Sequence, residues 1–152
     1  MKHLSRALPV ACLVALSAAA PLPAAAQFAK PDDAIKYRES VMTVMSSHFG
    51  RLAPVMRGQQ PFDAARVQAD VALVATLSKL PWAAFGPGTE GGKAKDAVWK
   101  DGAKFKQAAE HMEGEIAKLN TAAQTGDLAQ IRTAYGDAAA SCKACHDNFR
   151  NR

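Results

Sequence analysis

Residues 127–150 read D-L-A-Q-I-R-T-A-Y-G-D-A-A-A-S-C-K-A-C-H-D-N-F-R, and this stretch decides how the chain folds. Leu128, Ile131, Tyr135, Ala138, Cys142, Cys145 and Phe149 recur at steps of three and four, which is one face of an α-helix. Asp127, just after the breaker Thr125-Gly126, is placed to cap the first turn. Both thiols lie on the apolar stripe. His146, one turn beyond Cys142, points to nearly the same side. Two thiols and an imidazole therefore converge on the inward face of a final helix.

C-x-x-C followed at once by His is the spacing of covalent haem attachment. Two thiols one turn apart can add across the two vinyl groups of one haem, and the next imidazole can reach the iron from one face. Other uses of the residues fit less well. An iron–sulfur cluster needs four cysteines and a structural zinc site needs four ligands. A thioredoxin-like pair belongs at a helix start in an α/β pattern, whereas this pair stands near a helix end. A structural disulfide would close a loop of two residues and so remove little entropy from the unfolded chain.

Working outward, the same periodicity predicts three earlier helices. One begins at Pro31-Asp32-Asp33, where proline suits the opening turn and the aspartates suit the positive helix end. Its stripe is Ile35, Arg38, Met42, Met45, Phe49 and Leu52, with a kink or stop expected near Gly50 or Pro54. The second opens at Asp63 and carries Val67, Val71, Val74 and Leu77. The third spans about Lys95 to Ala123, with Val98, Gly102, Phe105, Ala109, Met112, Ile116, Leu119 and Ala123 in line. Between the second and third, Pro81 to Gly92 holds too much glycine and proline for a helix. The fold expected is all-α, an antiparallel four-helix bundle with the C-x-x-C-H motif on its last helix.

The chain opens with a basic head, Lys2, His3 and Arg6. An apolar run to about Ala20 and the small-residue segment Pro21 to Ala26 follow. This describes a secretory signal peptide cut after about Ala26, too short to be a membrane span. Cys12 leaves with it. Residues 27–152 then form one domain, exported to the periplasm, with Cys142 and Cys145 its only cysteines. The formal charge of +5 falls to +3 without Lys2 and Arg6. That excess is spread along the chain, so nucleic acid is not suggested. No nucleophile–base set and no carboxylate pair stands out, so the chain does not read as an enzyme.

The whole of the presumed mature chain resembles the class II cytochromes c, specifically cytochrome c′. The resemblance rests on K-Y-R-E-S (36–40), L-P-W-A-A-F-G-P-G-T-E-G-G (80–92) and A-S-C-K-A-C-H-D-N-F-R (140–150). It implies one covalent haem c per chain, with Cys142 and Cys145 as thioethers and His146 as axial iron ligand. It also implies Met42 over the distal face, Arg38 at a haem propionate, Glu39, Thr89 and Glu90 at the haem edge, and Arg150 on the proximal side. Nitric oxide and carbon monoxide as ligands, an unidentified redox partner and a homodimer through the first two helices come with the same resemblance.

Several of these positions have plainer readings. Met42 either covers a five-coordinate iron or, as in low-spin class II relatives, binds it as sixth ligand in an electron carrier. Arg38 stands where an apolar residue belongs, and a snorkelling side chain near the helix start is the ordinary explanation. Glu39, Thr89 and Glu90 read as solvent-exposed. Met45 and Met112 fit core filling, Met56 falls outside the seam, and His48 and His111 lie off the stripes. Tyr37, Val41 and Val44 form a second apolar flank on the first helix, which favours a partner chain.

Overall fold

The computed structural model describes residues 28–151, so the signal peptide and its cleavage site lie outside the described residues. Five helices follow in order: α1 Pro31–Met56, α2 Ala64–Leu77, α3 Ala97–Lys100, α4 Gly102–Thr125 and α5 Leu128–Phe149. The four long ones form the antiparallel four-helix bundle. α1 packs on α2, α2 on α4, and α4 most closely on α5, while α1 and α5 meet only slightly. That thin seam is where the cavity described below opens.

Local chemistry explains most boundaries. Pro31 opens α1 with Asp32 and Asp33 in its first turn. The Asp63 carboxylate accepts from the Arg66 amide at the start of α2, and Asp127 accepts from the Ala129 and Gln130 amides at the start of α5. Such caps satisfy amides that the helix itself leaves without partners. Gly126 closes α4 at φ +70°, a backbone conformation only glycine adopts cheaply.

The structure departs from the sequence reading at four places. α1 runs through Gly50 and ends two residues past Pro54; the proline forgoes the one bond its missing N–H would make to the Gly50 carbonyl without stopping the helix at once. The expected third helix is broken at Asp101, whose φ of −114° and ψ of 44° separate α3 from α4. The connector is not wholly irregular, because Pro81–Phe85 forms a 3-10 turn. Proline suits its first position, and a turn this short has no readable period. The fourth departure concerns α1's inward face, which is broader than one stripe. Ala34, Val41, Val55 and Met56 are buried with Arg38, Met45 and Leu52. α1 packs on both α2 and the 81–85 turn, so two faces are covered. Met56 thus belongs to the core, and Val41 is consumed within its own chain. Tyr37 and Val44 stay exposed.

One end of the bundle is closed. Leu52, Val71, Leu119, Ala123 and Ile131 are each no more than 1 % exposed there. Burying an aliphatic side chain of this size stabilises by about 1.5–3 kcal/mol. Among the described residues the only strand-like pairing is a single antiparallel bridge, Ala94 with Arg150. No described helix is long and apolar enough to cross a membrane.

Candidate functional site

At the other end, between α1 and α5, lies a cavity of about 350 Å³. α5 gives it Cys142, Cys145, His146 and Phe149, and Arg150 follows at its C-cap. α1 gives it Arg38, Glu39, Met42, Met45 and Phe49. Trp82 and Phe85 of the connector and Phe105 of α4 close the side. Phe85 and Phe105 stand 4.9 Å apart, and Phe105 meets Phe149 edge-on at 5.3 Å, so the aromatic wall is packed as a unit. Thr89 and Glu90 do not line this space.

The three groups singled out in the final helix are all on its wall. Both cysteines are free thiols, half-buried, with no bridge between them. Burial pushes both above the ordinary thiol pKa, and Cys142 adds to the effect at Cys145. They are therefore thiols rather than thiolates at neutral pH. His146 is held below the usual imidazole range by burial and by the Arg150 charge, against a smaller opposing pull from Asp147. A neutral imidazole keeps the lone pair that a metal needs. Its ring makes no hydrogen bond among the described residues.

Across the cavity Met42 is half-buried and offers a thioether, with no hydrogen to donate. Two hydroxyls also line this side, but both are committed to helix carbonyls. Thr43 donates to the Glu39 carbonyl at 2.8 Å and Ser46 to the Thr43 carbonyl at 2.9 Å. The face opposite His146 is thus without a free hydroxyl donor.

Arg38 is not a snorkelling residue. It is 1 % exposed. Its Nη1 donates to the carbonyls of Ala84 and Thr89, each at 2.7 Å, and Nη2 to that of Gly91 at 2.8 Å. The guanidinium also lies 4.7 Å from the Phe85 ring centre and 5.5 Å from that of Trp99. An arginine has five N–H donors, and this geometry leaves Nε and one Nη2 hydrogen for a further acceptor at the cavity wall. Thr89 is buried rather than exposed, and its hydroxyl donates to the Gly86 carbonyl at 2.7 Å. Glu90 accepts from the Gly88 amide. These two residues build the loop that Arg38 holds. The partners of Arg38 lie 46 to 53 positions away, so the charge could be flagged in the sequence but its partners could not.

Outside this wall, the other residues considered as ligands are occupied elsewhere. His48 bonds to Asp70 at 2.7 Å, tying α1 to α2. His111 is exposed beside Glu115. Met45, Met56 and Met112 are buried, with Met45 and Met112 also reaching the cavity. Among the described residues no three His, Cys, Asp or Glu side chains gather as a cage for a bare metal ion. An apolar, aromatic-walled slot with two adjacent thiols, an imidazole and a buried cation at its rim fits a haem. Sequence reasoning missed the buried Glu115 and Ser141. Both stand at stripe spacing, Glu115 three after Met112 and Ser141 three after Ala138, but a polar side chain hides that in the sequence; Glu115 is paired with Lys118 at 2.8 Å while Ser141 donates to the Ala138 carbonyl.

Comparison with known proteins agrees with this geometry. Residues 33–150 match the sequence family described as Cytochrome C′. The chain is 57 % identical to a cytochrome c′ of Alcaligenes xylosoxydans xylosoxydans over 126 residues, covering 83 % of this chain and 99 % of that one. It is 50 % identical to a cytochrome c′ of Rubrivivax gelatinosus over 129 residues, covering 83 % and 100 %. A nitric oxide complex of a mutant cytochrome c prime from Alcaligenes xylosoxidans superposes with a TM-score of 0.80 at 57 % identity, covering 82 % of this chain and 99 % of that one. A carbon monoxide complex of another variant of the same protein gives the same score, identity and coverage.

Proposed function

Since the chain belongs to the cytochrome c′ family, we propose that it is a periplasmic haem c protein that binds nitric oxide and carbon monoxide at a five-coordinate iron. The observation that carries this reading is the cavity itself, with two thiols and an imidazole on one wall and an apolar side chain without donors on the other. A haem held there by Cys142, Cys145 and His146 would supply the iron to which a diatomic gas binds.

The chain's own residues then have separable tasks. Cys142 and Cys145 would hold the macrocycle by thioethers, each adding its S–H across a vinyl group. His146 would present its imidazole to the iron, and the downward shift of its pKa favours the neutral form that a metal needs. Arg38 offers its two remaining N–H groups to a haem carboxylate, a charge-assisted pairing that suits the guanidinium fork. Glu39 borders the same edge. Arg150, one turn beyond His146, lies on the imidazole side.

Selectivity follows from Met42 and the occupied hydroxyls. Dioxygen, on which charge would build, would gain from a nearby hydrogen-bond donor. No hydroxyl is free opposite His146, since Thr43 and Ser46 donate to their own helix. Nitric oxide and carbon monoxide depend less on such a donor. The gas complexes of the 57 % identical relative support this reading over an electron carrier with Met42 on the iron.

Processing after about Ala26, export, and a homodimer through α1 and α2 complete the proposal. Tyr37 on α1 and Leu73 on α2, 37 % and 46 % exposed, support a partner on that side.

Two measurements test it. Haem should stay with the polypeptide through acid–acetone extraction, and release into the solvent sinks the thioether assignment. Electron paramagnetic resonance of the ferric protein should show high-spin or mixed-spin iron. A purely low-spin signal would instead put Met42 on the iron.

A further inference from the structure

α1 and the end of α5 form opposite walls of the cavity yet touch little. What joins them at the open end is the segment after the 3-10 turn. On the α1 side, the Glu39 carboxylate accepts from the Lys93 amide at 2.8 Å, across 54 positions of sequence. Gly92 is pressed onto the same helix at φ +60°. A Cβ there would lie 2.5 Å from Glu39 Oε1 and 2.7 Å from Ile35 Cγ2. On the α5 side the Lys93 carbonyl accepts from the Asn151 amide, and the Lys95 amide donates to the Phe149 carbonyl, each at 2.9 Å. Between them Ala94 pairs with Arg150 as the isolated bridge. Lys95 Nζ and Asn151 Nδ2 add bonds to the Asp147 and Ala94 carbonyls.

Lys93 thus holds α1 through its N–H and the tail of α5 through its C=O. We infer that Glu39 is a positioning residue for the wall that carries His146 and Arg150, acting across the cavity through the Lys93 amide and the 93–95 segment. The carboxylate sets where that segment sits against α1. The segment in turn fixes residues 149–151, which directly follow the turn bearing His146, and the Arg150 amide itself bonds to the His146 carbonyl at 3.1 Å. A residue on the helix that covers one face of the haem therefore tunes the other face. This rests on the reading that the cavity holds haem with His146 on the iron.

The test uses the holoprotein and two variants. Glu39→Ala removes the acceptor, while Glu39→Gln keeps an Oε1 in the same place. Amide hydrogen exchange is read at Lys93, Lys95 and Asn151, and the iron–histidine stretching band of the ferrous protein is read by resonance Raman. In Glu39→Ala, exchange should rise about tenfold at all three amides, the effect of losing one charge-assisted bond. The iron–histidine band should shift as well. Glu39→Gln should restore both readings to near wild type. Loosening confined to Lys93, an unshifted band, or a Glu39→Gln variant as disturbed as Glu39→Ala overturns the assignment. So does an equal rise at Val71 and Leu119 in the closed end, which marks general loss of stability. If extraction shows that the haem is not covalent, the exchange readings still report the tie itself, so the two claims fail separately.

Discussion

The two ends of this bundle use the same four helices for opposite purposes. At the closed end, Leu52, Leu119 and Ile131 are shielded by side chains from neighbouring helices, and the interior is filled by hydrocarbon. At the open end the same helices carry Met42, Phe49, Phe105 and Cys142, all only half-buried around a cavity. There the chain relies on polar ties, Arg38 to three carbonyls and Glu39 to the Lys93 amide. Packing stabilises without regard to sequence distance, whereas the ties specify where a glycine-rich connector must lie. Stability and binding are thereby separated along the bundle axis.

The sharpest way to break this contrast is to cut one side chain from each end. Leu119→Ala should lower unfolding free energy by about 2–5 kcal/mol in denaturant titrations, since a fully buried leucine leaves a cavity that relaxes only in part. Its visible spectrum should stay that of wild type. A loss below about 1 kcal/mol would show that the closed end is less rigidly filled than its burial indicates.

Arg38→Met should come next, at about 2–3 kcal/mol, because it strands connector carbonyls that a thioether cannot satisfy. Arg38→Lys should recover less than half of that, since one ammonium cannot reproduce the planar fork. If lysine restores full stability, charge rather than geometry is what the connector requires.

Met42→Ala should cost less than about 1.5 kcal/mol, because the residue already faces a cavity. Its effect belongs to function. Carbon monoxide association by stopped flow should quicken by about tenfold, the ligand no longer having to displace an apolar side chain. The resting spin state should not change. A conversion from low-spin to high-spin iron in this variant would show that Met42 had been a ligand.

The smallest effect concerns the cap of α5. Asp127 is held below the usual carboxylate range, first by its bond from the Gln130 amide, then by the Gln130 side chain and the Ala129 amide. A carboxyl whose folded pKa is depressed contributes stability above its unfolded value, about 3.9, and that contribution is lost as pH falls through the folded value. Asp127→Ala should therefore melt slightly below wild type at neutral pH, and the gap should narrow as pH drops below about 4. A gap that is constant with pH would mean the charge does not matter to the cap.

How much was legible in the sequence follows the same division. α4 and α5 bury one continuous stripe each, so steps of three and four named Met112, Ile116, Leu119, Ile131 and Ala138 in advance. The attachment motif was legible because its spacing is local. α1 was harder, since a helix covered on two sides has no single stripe; Val41 and Met56 were misplaced and Val55 was not singled out for that reason. Arg38 was visible as a charge on an apolar face, yet its partners became clear only when the fold brought residues 84, 89 and 91 against it. The 3-10 turn and the break at Asp101 are too short to carry a period.

The tie between residues 93–95 and 149–151 also bears on how the protein meets a protease. Lys93 and Lys95 sit in a stretch rich in glycine, the composition that trypsin-like enzymes usually find easy. Cleavage requires several residues to be drawn out in extended form, and here the Lys93 amide and carbonyl and the Lys95 amide are all engaged. The connector should thus resist nicking for as long as the open end stays assembled. The first cut seen there reports local opening rather than global unfolding. Limited digestion then becomes a simple gauge of whether the cavity is intact.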